Sequence, residues 1–173
     1  MRKTVVLSLL LALVCLLGSC SDGVVYEKIH TIKGEKWQKD KPVVCEFEVE
    51  DSTVFYTIYM DIRNSVDYPY QNLFVFMDSQ SPSGQVSRDT LEFILADVYG
   101  NWKGKGSRLK DKQYFFYPKV RFPNCGKYKF TFYQAMREDE LLGIANFGMT
   151  VQKFNEKKFR KEMEKRYREQ QNK

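Results

Sequence analysis

Histidine is nearly absent from this chain: His30 is the only one among 173 residues. It stands far from any serine or cysteine motif, so histidine-based nucleophilic catalysis has no evident partner set, and there is no His-Glu-x-x-His pattern. Cysteine is scarce too, four in all, with no Cys-x-x-Cys pair. One histidine and two separated body cysteines do not build an ordinary zinc site without carboxylate help. A phosphate loop is missing as well. The stretch Gly-Asn-Trp-Lys-Gly-Lys-Gly at 100–106 is glycine-rich but opens no helical pattern, so it reads as a long hairpin loop carrying an exposed Trp102. Glycosidic hydrolysis needs only two carboxylates. Yet Glu46, Glu48 and Glu50, Asp89 and Glu92, and Glu138 to Glu140 all read as wet sheet faces or turns, and no spacing singles out a pair. We therefore expect no enzyme, no catalytic residues, no resident metal and no cofactor.

Long apolar runs are missing except at the start. There Met-Arg-Lys-Thr leads into an apolar stretch from Val5 to Leu17, broken by Ser8 and followed by Gly-Ser-Cys at 18–20. A basic start, about a dozen apolar residues and a small-residue cleavage site make a secretory signal peptide. The run falls short of the roughly 20 residues that span a bilayer. Leu-Gly-Ser-Cys is also a bacterial lipobox, which marks Cys20 for lipid attachment through a thioether, with cleavage before it and acylation (palmitate or a similar chain) of the new amine. Each buried acyl CH₂ contributes about 0.8 kcal/mol, so two or three chains hold a protein firmly to a membrane. The expected partner of Cys20 is the lipid bilayer.

An extreme charge is missing once the chain is divided. The formal net charge is +6. Arg2 and Lys3 leave with the signal, and residues 153–173 hold nine basic and four acidic residues. The remainder, 20–152, is close to neutral with 17 basic and 18 acidic. The basic balance thus belongs to a tail and not to a nucleic-acid-binding face. Cys15 also leaves with the signal. Cys45 and Cys125 then remain in an oxidising compartment, where they can either form a disulfide or stay as two buried thiols.

The body alternates with period two. Tyr56, Ile58, Met60 and Ile62 share one face, opposed by Thr57, Asp61 and Arg63, with Phe55 and Tyr59 among them. Val43, Cys45, Phe47 and Val49 oppose Val44, Glu46 and Glu48, and Tyr128, Phe130, Phe132, Gln134 and Met136 oppose Lys127, Lys129, Thr131, Tyr133 and Ala135. Half-buried strands of this kind suit an antiparallel sheet with one wet face. Residues 73–77 are apolar on both faces, which predicts a central strand covered on both sides. Residues 91–96, 113–122 and 144–154 are weaker strands, and 24–30 an edge strand. Turn signals lie at 51–52, 67–69, 81–84, 100–111 and 123–126. No internal repeat is present. The expected fold is all-β: an antiparallel two-sheet β-sandwich with a short basic C-terminal helix.

Residues 155–173 lack glycine and proline and are rich in helix formers. Asn155 suits a cap. Phe159, Met163 and Tyr167 at i, i+4 and i+8 form one narrow apolar stripe. Without packing, a helix this short is marginal in water, so the tail is either a solvated helix or one that docks on a partner or a headgroup layer. The expected organisation is a cleaved signal at 1–19, a lipidated tether at 20–23, a β-sandwich domain at 24–152 and a basic helical tail at 153–173. Tyr68 and Tyr70 around Pro69, with Trp102, offer either stacking faces for sugar rings or a cap on the end of the sandwich.

Several of these segments occur together in a recognisable order. The lipobox is followed by Tyr-Gln-Asn-Leu-Phe-Val-Phe at 70–76, Asp-Thr-Leu-Glu-Phe-Ile-Leu-Ala-Asp at 89–97, the glycine-rich segment at 100–106, and Tyr-Gln-Ala-Met-Arg at 133–137 before Leu-Gly-Ile at 142–144. This order resembles the GldH family, gliding-motility lipoproteins of the Bacteroidota, over roughly residues 20–152. The resemblance implies an envelope lipoprotein needed for surface-adhesin movement in gliding species, with protein partners in the envelope. It supplies no catalytic residues to carry over. Two function classes therefore compete with catalysis: a component of a cell-envelope assembly, and a binding module for glycan or peptidoglycan. Ser21, Asp22 and Gly23 lack a run of acids resembling a surface-export signal, so the expected location is the outer membrane facing the periplasm.

Overall fold

Alternating apolar residues can bury one face of a strand only if a second sheet covers it, and two antiparallel sheets meet here in that way. The computed structural model describes residues 23–171; the signal segment and Cys20 lie outside the described residues. The strands are β1 (Val24–Thr31), β2 (Lys36–Gln38), β3 (Val43–Val49), β4 (Tyr56–Ser65), β5 (Asn72–Gln80), β6 (Val86–Ile94), β7 (Leu109–Val120), β8 (Gly126–Gln134), β9 (Glu140–Leu142) and β10 (Ile144–Lys153). One helix, α1 (Glu156–Gln171), follows. The first sheet has the order β1-β10-β4-β7 and the second β3-β8-β5-β6, while β2 and β9 pair by themselves. The all-β sandwich with a C-terminal helix is the architecture expected from the alternation.

The core forms where the inner phases meet. Tyr56, Ile58, Met60 and Ile62 of β4, with Phe147, Met149 and Val151 of β10, face Cys45, Phe47, Leu73, Val75, Met77, Phe130 and Phe132. Phe132 and Phe147 touch across the sandwich with ring centroids 5.2 Å apart. The two long sides close by aromatic contact: Tyr26 of β1 meets Phe47 of β3 at 5.8 Å. On the other side Tyr114 of β7 meets Phe93 of β6 at 5.3 Å, and its hydroxyl donates to the Ile94 carbonyl at 2.9 Å. Aromatic pairs of this geometry add to the free energy of area burial.

Three expectations need correction. Strand β5 is central in its sheet but covered on one face only. Leu73, Val75 and Met77 are buried, whereas Phe74 and Phe76 remain more than a third exposed, with Arg88 lying over Phe76 at 5.8 Å. Apolar residues on both faces thus reported a side-chain shelf and not a second cover. Cys45 and Cys125 are not bridged. Cys45 is fully buried opposite Phe130 in the β3–β8 ladder, while Cys125 precedes Gly126, which pairs with Val49 four residues further along β3. Four strand residues span about 13 Å, far beyond disulfide reach. Trp102 is half-buried, not exposed, because its segment pairs with Ala96 and packs on the core.

The helix is not a solvated tail. It begins with Asn155 accepting the Lys158 amide at 3.0 Å, then runs back across the outer face of the first sheet. Phe159 packs on Phe154 and Phe115 with centroids 5.6 and 5.7 Å away. Arg166 lies 4.2 Å over the Phe115 ring, bonds to Glu162 at 2.9 Å and reaches the Gln113 carbonyl at 3.4 Å. Beneath it Thr57, Tyr59, Thr150 and Gln152 are buried polar residues of the sheet. Gln152 donates to the Tyr59 hydroxyl at 2.9 Å, which in turn meets Glu162 of the helix, while Thr57 donates to the Pro118 carbonyl at 2.9 Å and Thr150 to Asp61 at 3.0 Å. Met163 and Tyr167 stay exposed.

Candidate functional site: the two ends of the sandwich

Strand direction gives the molecule two distinct ends. One end gathers the start of β1, the end of β10 and the turns at 50–55 and 121–126. Gly23 accepts the Lys153 amide at 2.8 Å, and Phe55 accepts the Phe154 amide at 2.7 Å. Lys119 stands between two rings, its ammonium 4.6 Å from Phe55 and 4.9 Å from Phe154. Phe55 is 42% exposed. Cys125 is exposed there and donates its thiol to the Glu50 carbonyl at 3.3 Å. The Asp51 carboxylate accepts from the Thr53 amide and hydroxyl at 2.8 and 2.6 Å. Those bonds, with Lys153 nearby, hold its pKa below the ordinary carboxylate value.

The far end is built by the turn at 66–71, the β2–β9 pair and the loop between β6 and β7. Trp37 of β2 is buried against Phe147 at 4.9 Å and donates to the Lys41 carbonyl at 3.0 Å. Gly143 precedes β10 at φ +88°, and a Cβ there would lie 2.8 Å from the Tyr68 Cα. The turn therefore sits directly on the end of the core. Tyr68 is 4% exposed and donates to the Asn72 carbonyl at 2.9 Å. Its ring meets Tyr70 edge-on at 5.7 Å, and the Tyr70 hydroxyl donates to Glu138. Tyr68 thus caps the sandwich and has no free face for a sugar ring, which corrects its reading as a ligand contact. Tyr70 and Trp102 are half-buried against the same core.

What the sequence reading missed is the tip beside Trp102. Asp97 accepts the amides of Tyr99 and Asn101, each at 2.9 Å, and the Asn101 side chain at 3.0 Å. Two backbone bonds between 97 and 100–101 close the turn. The result is a fixed loop whose Val98 and Tyr99 are 81% and 87% exposed. Asp-x-x-Gly-Asn at 97–101 was the available signal, since an aspartate that bonds amides two and four residues on forms a tight polar turn.

Elsewhere the chemistry is sparse. Among the described residues, no three His, Cys, Asp or Glu side chains gather as a metal site, and no helix is long and apolar enough to cross a membrane. His30 lies on β1, half-buried in the seam; burial, then nearby Lys28, lowers its pKa. A shallow groove of about 270 Å³ lies on the outer face of the first sheet, lined by Asp61, Arg63, Asp111 and Gln113 among others. Its charges are already engaged: Arg63 pairs with Asp111, and Asp61 accepts from Gln113 at 2.8 Å and Thr150 at 3.0 Å.

The fold and its ends describe an all-β domain with one helix folded against it and its first described residue, Gly23, at the rim of the sandwich. The profile of the GldH lipoprotein family matches residues 24–151, and this chain belongs to that family of lipoproteins. It is 34% identical over 161 residues to a gliding motility lipoprotein GldH homolog of Christiangramia forsetii, covering 88% of this chain and 98% of that one. It is 32% identical over 152 residues to the gliding motility lipoprotein GldH of Flavobacterium johnsoniae, covering 83% and 94%. A weaker likeness, TM-score 0.34 at 10% identity, joins 79% of this chain to 14% of the dimeric latent PorU structure from Porphyromonas gingivalis.

Proposed function

We propose that the chain is a non-catalytic component of an envelope assembly of the gliding-motility type, anchored through acylated Cys20 and offering its far end to a protein partner. The observation that carries this reading is the polarity of the domain. The described chain begins at one rim, three residues after the lipobox cysteine, while the fixed Val98–Tyr99 tip is at the other. Exposed apolar side chains on a rigid turn lose little conformational freedom on binding, which favours their use as a contact. Membership of the GldH family supports an envelope lipoprotein, and the names of its two relatives support a link to gliding. The half-buried lone histidine and the engaged carboxylates support a role without catalysis. The anchor is assigned to the outer membrane with the domain in the periplasm, since Ser21 and Asp22 form no acidic run.

A photocrosslinking side chain at Tyr99, expressed in the native membrane, tests the reading. It should give a discrete protein adduct that the same group at Thr90, on the exposed face of β6, does not give. Val98→Ser with Tyr99→Ser should abolish complex recovery with the melting temperature unchanged. Full complex recovery by the double variant would overturn the far end as the contact. Protease shaving of intact cells that removes the domain would overturn the periplasmic orientation.

A further inference from the structure

The rim around Gly23 has more than a chain start on it. Three residue steps separate Cys20 from Gly23, and an extended chain covers at most about 3.6 Å per residue. The Gly23 backbone is therefore no more than about 11 Å from the lipidated residue. Gly23 is not free to swing away from the domain: its carbonyl is bonded to the Lys153 amide, and Val24 continues into β1 opposite Gln152. With Cys20 acylated, the Gly23 edge of this rim is held within about 11 Å of the lipidated residue, the same order as the screening length of about 8 Å at physiological ionic strength.

What the rim presents fits that layer. Val24 is 38% and Phe55 42% exposed, and Lys119 is clamped between Phe55 and Phe154. Lys153 and Lys157 are exposed beside them. Among the described residues, carboxylates of the same rim limit its charge: Glu50, Asp51 with its bonds to Thr53, and Glu156 paired with Arg160 at 2.8 Å. An aromatic body beneath an ammonium tip is the arrangement that settles at a membrane interface, ring toward the acyl boundary and charge among the phosphates. We propose that Phe55, Lys119 and Lys153, with Val24 beside them, form a membrane-resting face that seats the rim on the headgroups of the bilayer holding Cys20. The far end then stands upright, about 33 Å away along the ten-residue β4. The proposal rests on the anchoring reading above.

The native thiols allow the test. Cys125 is exposed on this rim, and Cys45 is fully buried, so a fluorescent maleimide on the folded, acylated full chain marks Cys125 alone. The labelled protein is placed in phosphatidylethanolamine–phosphatidylglycerol vesicles carrying a headgroup nitroxide quencher. Quenching is expected at Cys125 and, with Cys125→Ser, at Phe55→Cys. It is not expected at Tyr99→Cys in that same background. Phe55→Ser with Lys119→Glu should lose most of the Cys125 quenching while vesicle retention stays complete. Equal quenching at both ends, or quenching unaffected by that pair, with the protein still vesicle-bound, overturns the resting face and leaves the anchor standing. Retention of Cys20→Ala on the vesicles, or no retention of the wild-type chain, overturns the anchor and the resting face together.

Discussion

His30 carries a specific acid sensitivity. Burial and Lys28 lower its pKa below the ordinary 6.5, so at mildly acidic pH the unfolded chain binds a proton that the folded chain resists. More protons bound in the unfolded state means stability rises with pH. The contribution is therefore complete above about 6.5 and is lost as pH falls below it. Urea midpoints of wild type and His30→Gln should converge toward pH 5 from a wild-type advantage near neutrality; parallel curves would remove His30 as the cause. Trp37 is the larger single contributor. It is 1% exposed under the far end, and Trp37→Ala should cost about 3–5 kcal/mol, the usual range for losing a buried large aromatic. The inner-face residues were readable from alternation alone, because period two admits only one buried set. Tyr68 was harder: a tyrosine beside proline in a turn looks the same in sequence whether its ring faces water or caps a core.

Strands β3, β4 and β8 announced themselves by alternation, whereas β6 was foreseen only from residue 91 onward, and β2 and β9, three residues each, are too short to show any period. The placement of α1 was half visible. Its stripe was plain, but the surface it meets is made by Tyr59 of β4, Phe115 of β7 and Phe154 just beyond β10. Tyr59 set among Thr57, Asp61 and Arg63 was the hint that something covers it. Its phenol is pushed up to about 12 by burial, with the Glu162 charge adding to the effect. Deleting residues 155–173 should therefore return the Tyr59 titration toward 10 in an alkaline absorbance series and lower the melting temperature, while the far-UV spectrum stays strand-dominated. Phe159→Ser should cost on the order of 1–2 kcal/mol, part of the range for burying an aromatic side chain. Met163→Ser and Tyr167→Ser, both exposed, should stay within about 0.5 kcal/mol. A large loss from the last two would mean that the stripe is fully engaged.

At the scale of the whole molecule, the anchoring proposed above puts one end of the sandwich close to the lipid, and a short tether is what would give the domain direction. Ser21 and Asp22 alone separate Cys20 from Gly23, so the domain has little room to reorient about the acyl chains. Ten glycine and serine residues inserted between Asp22 and Gly23 would add a flexible coil of roughly 17 Å root-mean-square length. Acyl burial is unchanged by that insertion, and membrane retention should be too. What should change is the geometry at the far end. A partner held at fixed height above the membrane meets Val98 and Tyr99 at an effective concentration set by tether length, which falls once the tether exceeds the required span. Crosslinking through position 99 should weaken, while trypsin gains access to Lys119 and Lys153 at the near rim. Restoring rigidity with ten prolines would keep the rim off the membrane but raise the tip by about 31 Å, so crosslinking should not recover. Undiminished crosslinking with both inserts would show that the height of the tip is irrelevant and that the partner reaches the domain from the side.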